Sequence, residues 1–129
     1  MELNKVRYKE LNSKQKENYN FHKVAAALAE YGFNSMRLND DWQGADFISV
    51  HVKIDEILKV QLKGRFTISK KYIGKNIHVA FIEDNIIKLY IHVEALKLIT
   101  KKIRNHIDLT GSYDWPKTPK RFKDIISIL

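Results

Sequence analysis

The chain has 129 residues, enough for one domain with a substantial core, and we assign residues 1–129 to a single domain. Apolar residues make up 44% of the chain and charged residues 29%, which are ordinary globular values and suggest neither a disordered chain nor a coiled coil. There is no cysteine, so disulfides and thiolate metal sites are excluded. Any metal must be held by oxygen or imidazole.

Positive charge is the unusual feature of the composition. The chain has 23 Lys+Arg against 15 Asp+Glu, a formal net charge of +8. This excess favours a polyanionic partner such as nucleic acid over a neutral metabolite, the alternative being a soluble basic protein without such a partner. The amino terminus has no apolar signal core, and no segment approaches the roughly 20 apolar residues of a membrane span. We therefore expect a cytoplasmic protein that binds DNA and no membrane.

The first predicted element is a helix over residues 11–33, with Asn12 or Ser13 as N-cap and Gly32 just past its end. Four apolar residues share one stripe at 100° per residue: Phe21, Val24, Leu28 and Tyr31. Glu17 falls in the middle of that stripe and is expected to point toward the core side. The alternative is that Glu17 lies at the rim or interacts with the helix dipole.

Strands follow the helix. A short strand is predicted over Ser35–Leu38, and the polar stretch NDDWQGAD, with its Asp40-Asp41 pair, predicts a loop that ends at Asp46. FISVHVK and ILKVQLK alternate with period two and predict a hairpin around IDE. We expect the register that matches aliphatic residues: Val52 with Leu58, Val50 with Val60 and Ile48 with Leu62.

This register has a consequence for the polar residues of the hairpin. Gln61 and Lys63 share the face opposite the aliphatic one, whereas strict alternation places Asp46 on the aliphatic face. The three side chains converge only if the chain bends or bulges near Asp46, where Gly44 is the permissive residue.

The remaining elements complete a sheet covered by helices. NIHVAFI and IIKLYIH predict a second hairpin around Glu83–Asn85, and VEALKLITKKI has helical spacing. After a turn-rich stretch, KRFKDIISIL predicts a short helix. The order α, β, β, β, β, α indicates an α/β fold. The apolar tail, with Trp115 and Phe122, is expected to cap the core or form a dimer interface, the alternative being a DNA-binding arm.

The polar residues match the requirements of phosphodiester hydrolysis. That reaction needs a hard divalent cation to polarise the phosphate and activate a water, and a second positive charge to offset charge in the transition state. Four residues supply these groups: Asp46 at the start of a strand, Gln61 and Lys63 on the next strand, and Glu17 on the inward face of the helix.

Ala45-Asp46 followed by Gln61-Leu62-Lys63 resembles the motif of the PD-(D/E)XK nuclease superfamily, with Glu17 contributed by the preceding helix. The wider block from Glu17 to Phe81 is similar to small bacterial proteins classed as restriction-endonuclease-like. The first motif lacks the proline, and glutamine replaces the usual second acid. Some restriction-like and homing endonucleases of the superfamily have this Q-x-K form.

The resemblance implies a single-domain restriction-endonuclease-like fold with a central mixed sheet of about four to five strands flanked by helices. It also implies a Mg²⁺- or Mn²⁺-dependent DNA endonuclease of restriction or homing type. Asp46, Gln61 and the Leu62 carbonyl would be metal ligands, Lys63 would orient the water or stabilise developing charge, and Glu17 would be an outer ligand. Since one site cuts one strand, double-strand cleavage implies a homodimer or higher oligomer.

A basic segment after the second motif is the candidate for DNA contacts. Its residues are Arg65, Lys70, Lys71, Tyr72 and Lys75. Lysine and arginine beside a metal site suit phosphate contacts, and the alternative is a solvated loop. The five histidines show no metal-ligand spacing and are interpreted as structural or solvated. Two other functions stay open: a non-catalytic nucleic-acid-binding module, and a nuclease for branched DNA or RNA.

Overall fold

A six-stranded mixed sheet forms the centre of the computed structural model, which describes residues 1–129. Its strands, in chain order, are β1 (Phe33–Trp42), β2 (Ala45–His51), β3 (Ile57–Leu62), β5 (His78–Glu83), β6 (Ile86–Ile91) and β8 (Ile126–Ile128). Their spatial order is β1-β2-β3-β5-β6-β8, and the β3–β5 pair is the one parallel pair. A separate two-stranded sheet pairs β4 (Thr67–Ser69) with β7 (Ser112–Asp114). The predicted α/β class is confirmed, with six strands in the central sheet.

Three α-helices accompany the sheet: α1 (Ser13–Ala29), α2 (His92–Leu96) and α3 (Lys101–Thr110). Short 3₁₀ helices cover Tyr8–Glu10, Lys70–Tyr72 and Lys120–Ile125. No helix combines the length and apolar character needed to cross a bilayer.

Capping residues explain where the helices begin. Asn12 Oδ1 accepts a hydrogen bond from the Gln15 N–H at 2.8 Å, and the Gln15 side chain accepts from the Asn12 N–H at 2.9 Å, a capping box that confirms the predicted start of α1. The helix predicted over VEALKLITKKI is instead two helices. Thr100 caps α3 by accepting from the Ile103 N–H at 3.3 Å, which breaks the run.

Two apolar clusters lie on the two sides of the sheet. Val24 and Leu28 of α1 pack against Phe47, Val60 and other buried strand residues. Tyr31, expected in the same stripe, is 53% exposed because α1 ends at Ala29.

The carboxyl-terminal segment contributes to the second cluster. Phe122 is fully buried, with its ring centroid 4.5 Å from that of Phe66 and 5.4 Å from that of Trp115. The tail therefore caps the core, which was one of the two roles expected for it, the other being a dimer interface. The short helix predicted over residues 120–129 is wrong in its second half, because Ile126–Ile128 form β8 and pair with β6.

The β2–β3 hairpin has a different register from the one expected. Ser49 rather than Val52 lies opposite Leu58, and Phe47 lies opposite Val60, a shift of three residues. An odd shift moves every side chain to the other face. The prediction based on matching aliphatic residues is wrong because the residue that enters the core from β2 is aromatic. Phe47 is fully buried and packs against α1, whereas the half-buried Ile48 and Val50 face the other side of the sheet.

The hairpin loop is also longer than expected. His51 N–H donates to the Glu56 carbonyl at 3.0 Å and closes the loop. His51 Nδ1 accepts from the N–H groups of Lys53 at 3.0 Å and Ile54 at 3.2 Å, so this histidine organises the turn.

The loop expected over residues 39–46 is mostly strand. β1 continues to Trp42, and a two-residue turn at Gln43 (φ 53°) and Gly44 (φ 87°) leads into β2. A Cβ at Gly44 would lie 2.9 Å from Tyr72 Cδ1, so a side chain is excluded there by both backbone conformation and close approach. Asp40 and Asp41 therefore precede the turn, in a stretch where the β1–β2 register shifts.

The second predicted hairpin is confirmed. β5 and β6 pair from His78 opposite Ile91 to Glu83 opposite Ile86, and the turn consists of Asp84 (φ 52°) and Asn85 (φ 62°). Asp and Asn tolerate this left-handed conformation better than most residues, which explains why this turn could be read from the sequence.

Candidate functional site

Asp46 lies where the central sheet opens. The β2–β3 ladder ends at Phe47 opposite Val60, after which Ala45 pairs with Trp42 of β1. Leu62 pairs instead with Ala80 of β5. In the gap between the diverging strands, Asp46 Oδ2 accepts a hydrogen bond from the Leu62 N–H at 2.9 Å. This hydrogen bond fixes the Asp46 carboxylate to the backbone of β3.

The observed register changes the argument for a bend at Asp46. Phe47 and Val60 are both buried against α1, so strict alternation from this pair would put Asp46 and Gln61 on the same face. Ala45 nevertheless packs in the cluster on the other side of the sheet from Phe47, so alternation is broken at Asp46, as a bend in the chain there requires. Gln61 Nε2 donates to the Leu62 carbonyl at 3.2 Å, which turns the Gln61 Oε1 away from the backbone.

Lys63 completes this group at the end of β3. Its N–H donates to the Ala80 carbonyl at 3.0 Å, which anchors the backbone to β5. Its Nζ lies 5.3 Å from the ring centroid of Tyr72, as does the Nζ of Lys71. Burial, reinforced by the charge of Lys71, lowers the pKa of Lys63, whereas Asp46 acts in the opposite direction.

Tyr72 forms the floor beneath these two ammonium groups. The residue is only 2% exposed and its hydroxyl is buried without a hydrogen-bond partner, so its ring does not present the exposed nucleic-acid contact that the sequence predicts. Burial raises the pKa of Tyr72, and the charges of Asp46 and Asp41 raise it further.

The electrostatic environment of Asp46 is mixed. Burial raises the pKa of Asp46 above its ordinary value, the Leu62 N–H opposes this, and the charge of Glu17 adds to it. Lys63 lowers the pKa and Asp41 raises it. A half-buried carboxylate beside a half-buried ammonium is the kind of perturbed pair that clusters at functional sites.

Glu17 and Asp46 line the same small cavity, of about 130 Å³. Glu17 Oε1 is held at 2.7 Å by Arg37 Nη2, with Lys14 Nζ at 4.0 Å, and its side chain is 45% exposed. Glu17 therefore lies at the rim of the cavity, as the alternative interpretation held, and its carboxylate forms an ion pair with Arg37.

Arg37 was missed by the sequence reasoning. It also donates to Asn18 Oδ1 and lies 5.2 Å from the Phe21 ring centroid, so it ties β1 to α1 beside the site. The signal available in the sequence was a single arginine on a predicted strand next to the acidic loop, which is too common to be informative.

The possible ligands for a hard cation around Asp46 are oxygen atoms. No three His, Asp or Glu side chains lie close enough together to hold a metal ion. The oxygen atoms of Asp46, Gln61 and Leu62 are nevertheless of the type that Mg²⁺ prefers, and Mg²⁺ commonly binds through one or two carboxylates, waters and substrate phosphates. These residues fit such a site in their chemistry, without forming a closed protein cage.

Lys63 lines a basic cleft of about 850 Å³. The cleft has no hydrophobic side chain, and four cations line it: Lys63, Arg65, Lys70 and Lys71. Its single acid, Asp114, pairs with Arg65 at 3.3 Å. The structure thus brings together three of the predicted DNA contacts with Lys63, while Lys75 does not line the cleft.

No family model, curated protein or solved structure matches the chain. Function must therefore be inferred from the site geometry and from the chemistry of its residues.

Two histidines play structural roles. His92 is buried, its Nε2 accepts from the Ser69 N–H at 3.0 Å, and burial lowers the pKa of His92 to about 4. The imidazole is thus neutral at physiological pH and holds β4, which forms part of the wall of the basic cleft. Together with His51 in its loop, this confirms the structural interpretation for two of the five histidines.

Proposed function

We propose that the protein is a metal-dependent endonuclease that hydrolyses phosphodiester bonds in DNA. One observation carries the proposal: the Asp46 carboxylate accepts a hydrogen bond from the Leu62 N–H, between Gln61 and Lys63 in the chain, and Lys63 lines the basic cleft. This is the arrangement of groups implied by the resemblance of the sequence to PD-(D/E)XK nucleases.

The basic cleft would hold the substrate backbone. Arg65, Lys70 and Lys71 can each contact a phosphate, which gives salt-dependent affinity without sequence preference. A strand lying in the cleft could place one phosphodiester beside Lys63. The ammonium group there can stabilise the negative charge that develops on the phosphate oxygens in the transition state.

Asp46, the Gln61 Oε1 and the Leu62 carbonyl are the groups that would hold Mg²⁺ or Mn²⁺. When bound, such an ion supplies a Lewis acid for the phosphate and lowers the pKa of a water molecule. The hydrogen bond from Leu62 N–H fixes the position of the Asp46 carboxylate. Because an amide replaces one carboxylate, the site has one negative charge fewer, and we expect cleavage to need millimolar metal.

A single site of this kind cuts one strand. Double-strand cleavage would require two sites on opposite strands, so we propose that the active form is a homodimer or a higher oligomer. Light scattering of the purified protein with and without DNA measures this directly, and a monomer under both conditions that still cuts both strands would contradict it.

The proposal is tested by incubating purified protein with plasmid and with genomic DNA in Mg²⁺ or Mn²⁺. A genomic substrate samples many sequences and so reveals an enzyme with a rare target. We expect cleavage by the natural chain and none by Asp46→Ala or Lys63→Ala variants that fold normally. Undiminished cleavage by both variants would show that the activity comes from a contaminant or from another site.

A second candidate is a non-catalytic nucleic-acid-binding module. Two observations favour it: Gln61 stands where a nuclease usually has an acid, and no three acidic or histidine side chains are grouped for a metal. Binding without cleavage of linear DNA, branched DNA and RNA in both metals would support this module. Cleavage confined to the branched or RNA substrates would instead identify a nuclease for those substrates.

A further inference from the structure

A second cavity adjoins the basic cleft. It has a volume of about 580 Å³, and Lys63 and Gly64 line both spaces. We call it the tyrosine pocket and define it by the residues on its walls: Tyr8, Tyr19, Asn20, Lys23, Ile82, Asp84, Asn85 and Ile87, together with the two shared residues. None of the groups assigned to hydrolysis, apart from Lys63, belongs to it.

Two exposed aromatic rings stand on one wall of the tyrosine pocket. Tyr8 is 43% and Tyr19 is 41% exposed, and their ring centroids are 5.3 Å apart with planes tilted by 57°. Asn20 Nδ2 donates to the Tyr8 hydroxyl at 3.0 Å and holds that ring against α1. Neither tyrosine belongs to the two core clusters, so these rings add aromatic surface to a cavity rather than to the interior.

Positive charge surrounds the same rings. Lys16 Nζ lies 5.4 Å from the Tyr8 ring centroid, and Lys23 Nζ lies 5.4 Å from that of Tyr19. Asp84 is the single acid on the walls. Proteins bind single-stranded nucleic acid by stacking bases on aromatic rings and by placing cations beside the phosphates. The tyrosine pocket has both kinds of group.

The junction between the two cavities is open. A Cβ atom placed on Gly64 would meet no other atom within 4 Å, so the backbone there is bare. A strand whose phosphate lies at Lys63 could therefore continue from the basic cleft toward the two tyrosines. A base within a duplex is stacked on its neighbours, so only an unpaired base can offer its face to a side chain.

We propose that the tyrosine pocket binds an unpaired nucleotide of the DNA strand whose phosphate lies at Lys63, so that the preferred substrate has a single-stranded extension or branch. The inference rests on the proposed function, because it takes the phosphate position from the assignment of Lys63. The side chains of Asn20 and Asn85 stand on the walls as hydrogen-bonding groups for the edge of that base.

The test compares two labelled DNAs in metal-free buffer by fluorescence anisotropy: a blunt duplex, and the same duplex with a single-stranded extension that contains 2-aminopurine. We expect tighter binding of the extended DNA and a change in 2-aminopurine fluorescence. Tyr19→Ala should weaken binding of the extended DNA by roughly 5- to 100-fold and leave the blunt duplex within about two-fold. Tyr19→Phe, the matched control, should retain the preference.

A variant at Gly64 provides a check that does not depend on the tyrosines. Because nothing occupies the space beside Gly64, Gly64→Leu should fold and obstruct the junction, with a larger loss for the extended DNA than for the blunt duplex. Equal affinity of the natural chain for both DNAs would overturn the proposal. So would equal losses on both DNAs in Tyr8→Ala and Tyr19→Ala variants whose circular dichroism is unchanged.

Cleavage assays on the same DNAs separate this inference from the proposed function. Normal cleavage of the extended DNA by Tyr8→Ala and Tyr19→Ala variants would overturn the tyrosine pocket and leave the nuclease intact. Tyrosine-dependent preference for the extended DNA, with no cleavage in any metal, would support the pocket and overturn the nuclease.

Discussion

Two substitutions of Asp46 separate the charge of this residue from its structural contact. Asp46→Ala removes both the carboxylate and the acceptor of the Leu62 N–H bond at 2.9 Å. Asp46→Asn removes the charge alone, because the amide oxygen can still accept that bond. Since the proposed function requires a carboxylate, we expect neither variant to cleave DNA. We expect them to differ in stability.

The size of that difference follows from the unpaired N–H group. Leaving a buried donor without an acceptor costs about 1–3 kcal/mol, and the half-buried position of Leu62 favours the lower end. For a domain of this length, Asp46→Ala should therefore melt roughly 3–10 °C below Asp46→Asn. Asp46→Asn also removes the cost of burying a charge, so it should melt at or above the temperature of the natural chain.

The pH dependence gives a second measure of the same effect. Burial raises the pKa of Asp46 above its ordinary value of 3.8, so the folded chain holds this proton more tightly than the unfolded chain does. The free energy of unfolding therefore falls as pH rises from 3.8 through the raised pKa. The stability advantage of Asp46→Asn should be absent below that interval and complete at neutral pH.

Thermal melts followed by circular dichroism at several pH values, with cleavage assays in parallel, test these expectations. Equal melting temperatures for the alanine and asparagine variants would contradict the bond between Asp46 and the Leu62 N–H. Cleavage by Asp46→Asn at the rate of the natural chain would contradict the catalytic role of the charge while leaving the structural contact in place.

Three further substitutions probe the site and the fold. Lys63→Ala should reduce single-turnover cleavage by at least about 100-fold, with DNA affinity in anisotropy assays falling less than about ten-fold. Gln61→Glu restores a carboxylate, so half-maximal cleavage should need less Mg²⁺; complete loss of activity with an intact fold would contradict the assigned role. In the hydrogen-bonded group around Glu83, burial raises the pKa of this residue, but bonds from Lys88 and Thr118 hold it below the ordinary value. Glu83→Gln should therefore lower the free energy of unfolding in urea by about 1–3 kcal/mol at neutral pH, with a smaller loss in acid, and an unchanged loss in acid would refute this account.

Local chemistry made several elements predictable from the sequence. The start of α1 is set by Asn12 and Gln15, which bond each other's backbone, and the β5–β6 turn is set by residues that tolerate positive φ. Both depend on neighbours within a few positions of the chain. Gln61 and Lys63 are separated by one residue in the chain, but β3 ends at Leu62, so strand alternation does not fix the side on which the Lys63 side chain lies.

Elements that depend on distant partners were not predictable in this way. Ile126–Ile128 have helical spacing with their neighbours, yet they form a strand because the edge of β6 offers unpaired backbone groups. Tyr72 has an ordinary polar neighbourhood in the sequence, and it is buried by residues distant in the chain, which include the cluster around Phe66 and the close backbone of Gly44. Neither contact can be predicted from the neighbouring residues in the sequence.

The register of the β2–β3 hairpin decides whether Asp46 can join the site at all. In the expected register Asp46 would lie opposite Gly64, with its side chain on the face away from Gln61. In the observed register its carboxylate reaches the Leu62 N–H, while Phe47 enters the core beside α1. The loop bonds accepted by His51 Nδ1 fix the same register from the other end of the hairpin. The observed register is thus favoured by three groups together: the buried Phe47 ring, His51 in the loop and the Asp46 carboxylate. Matching of aliphatic residues alone favours the register expected from the sequence.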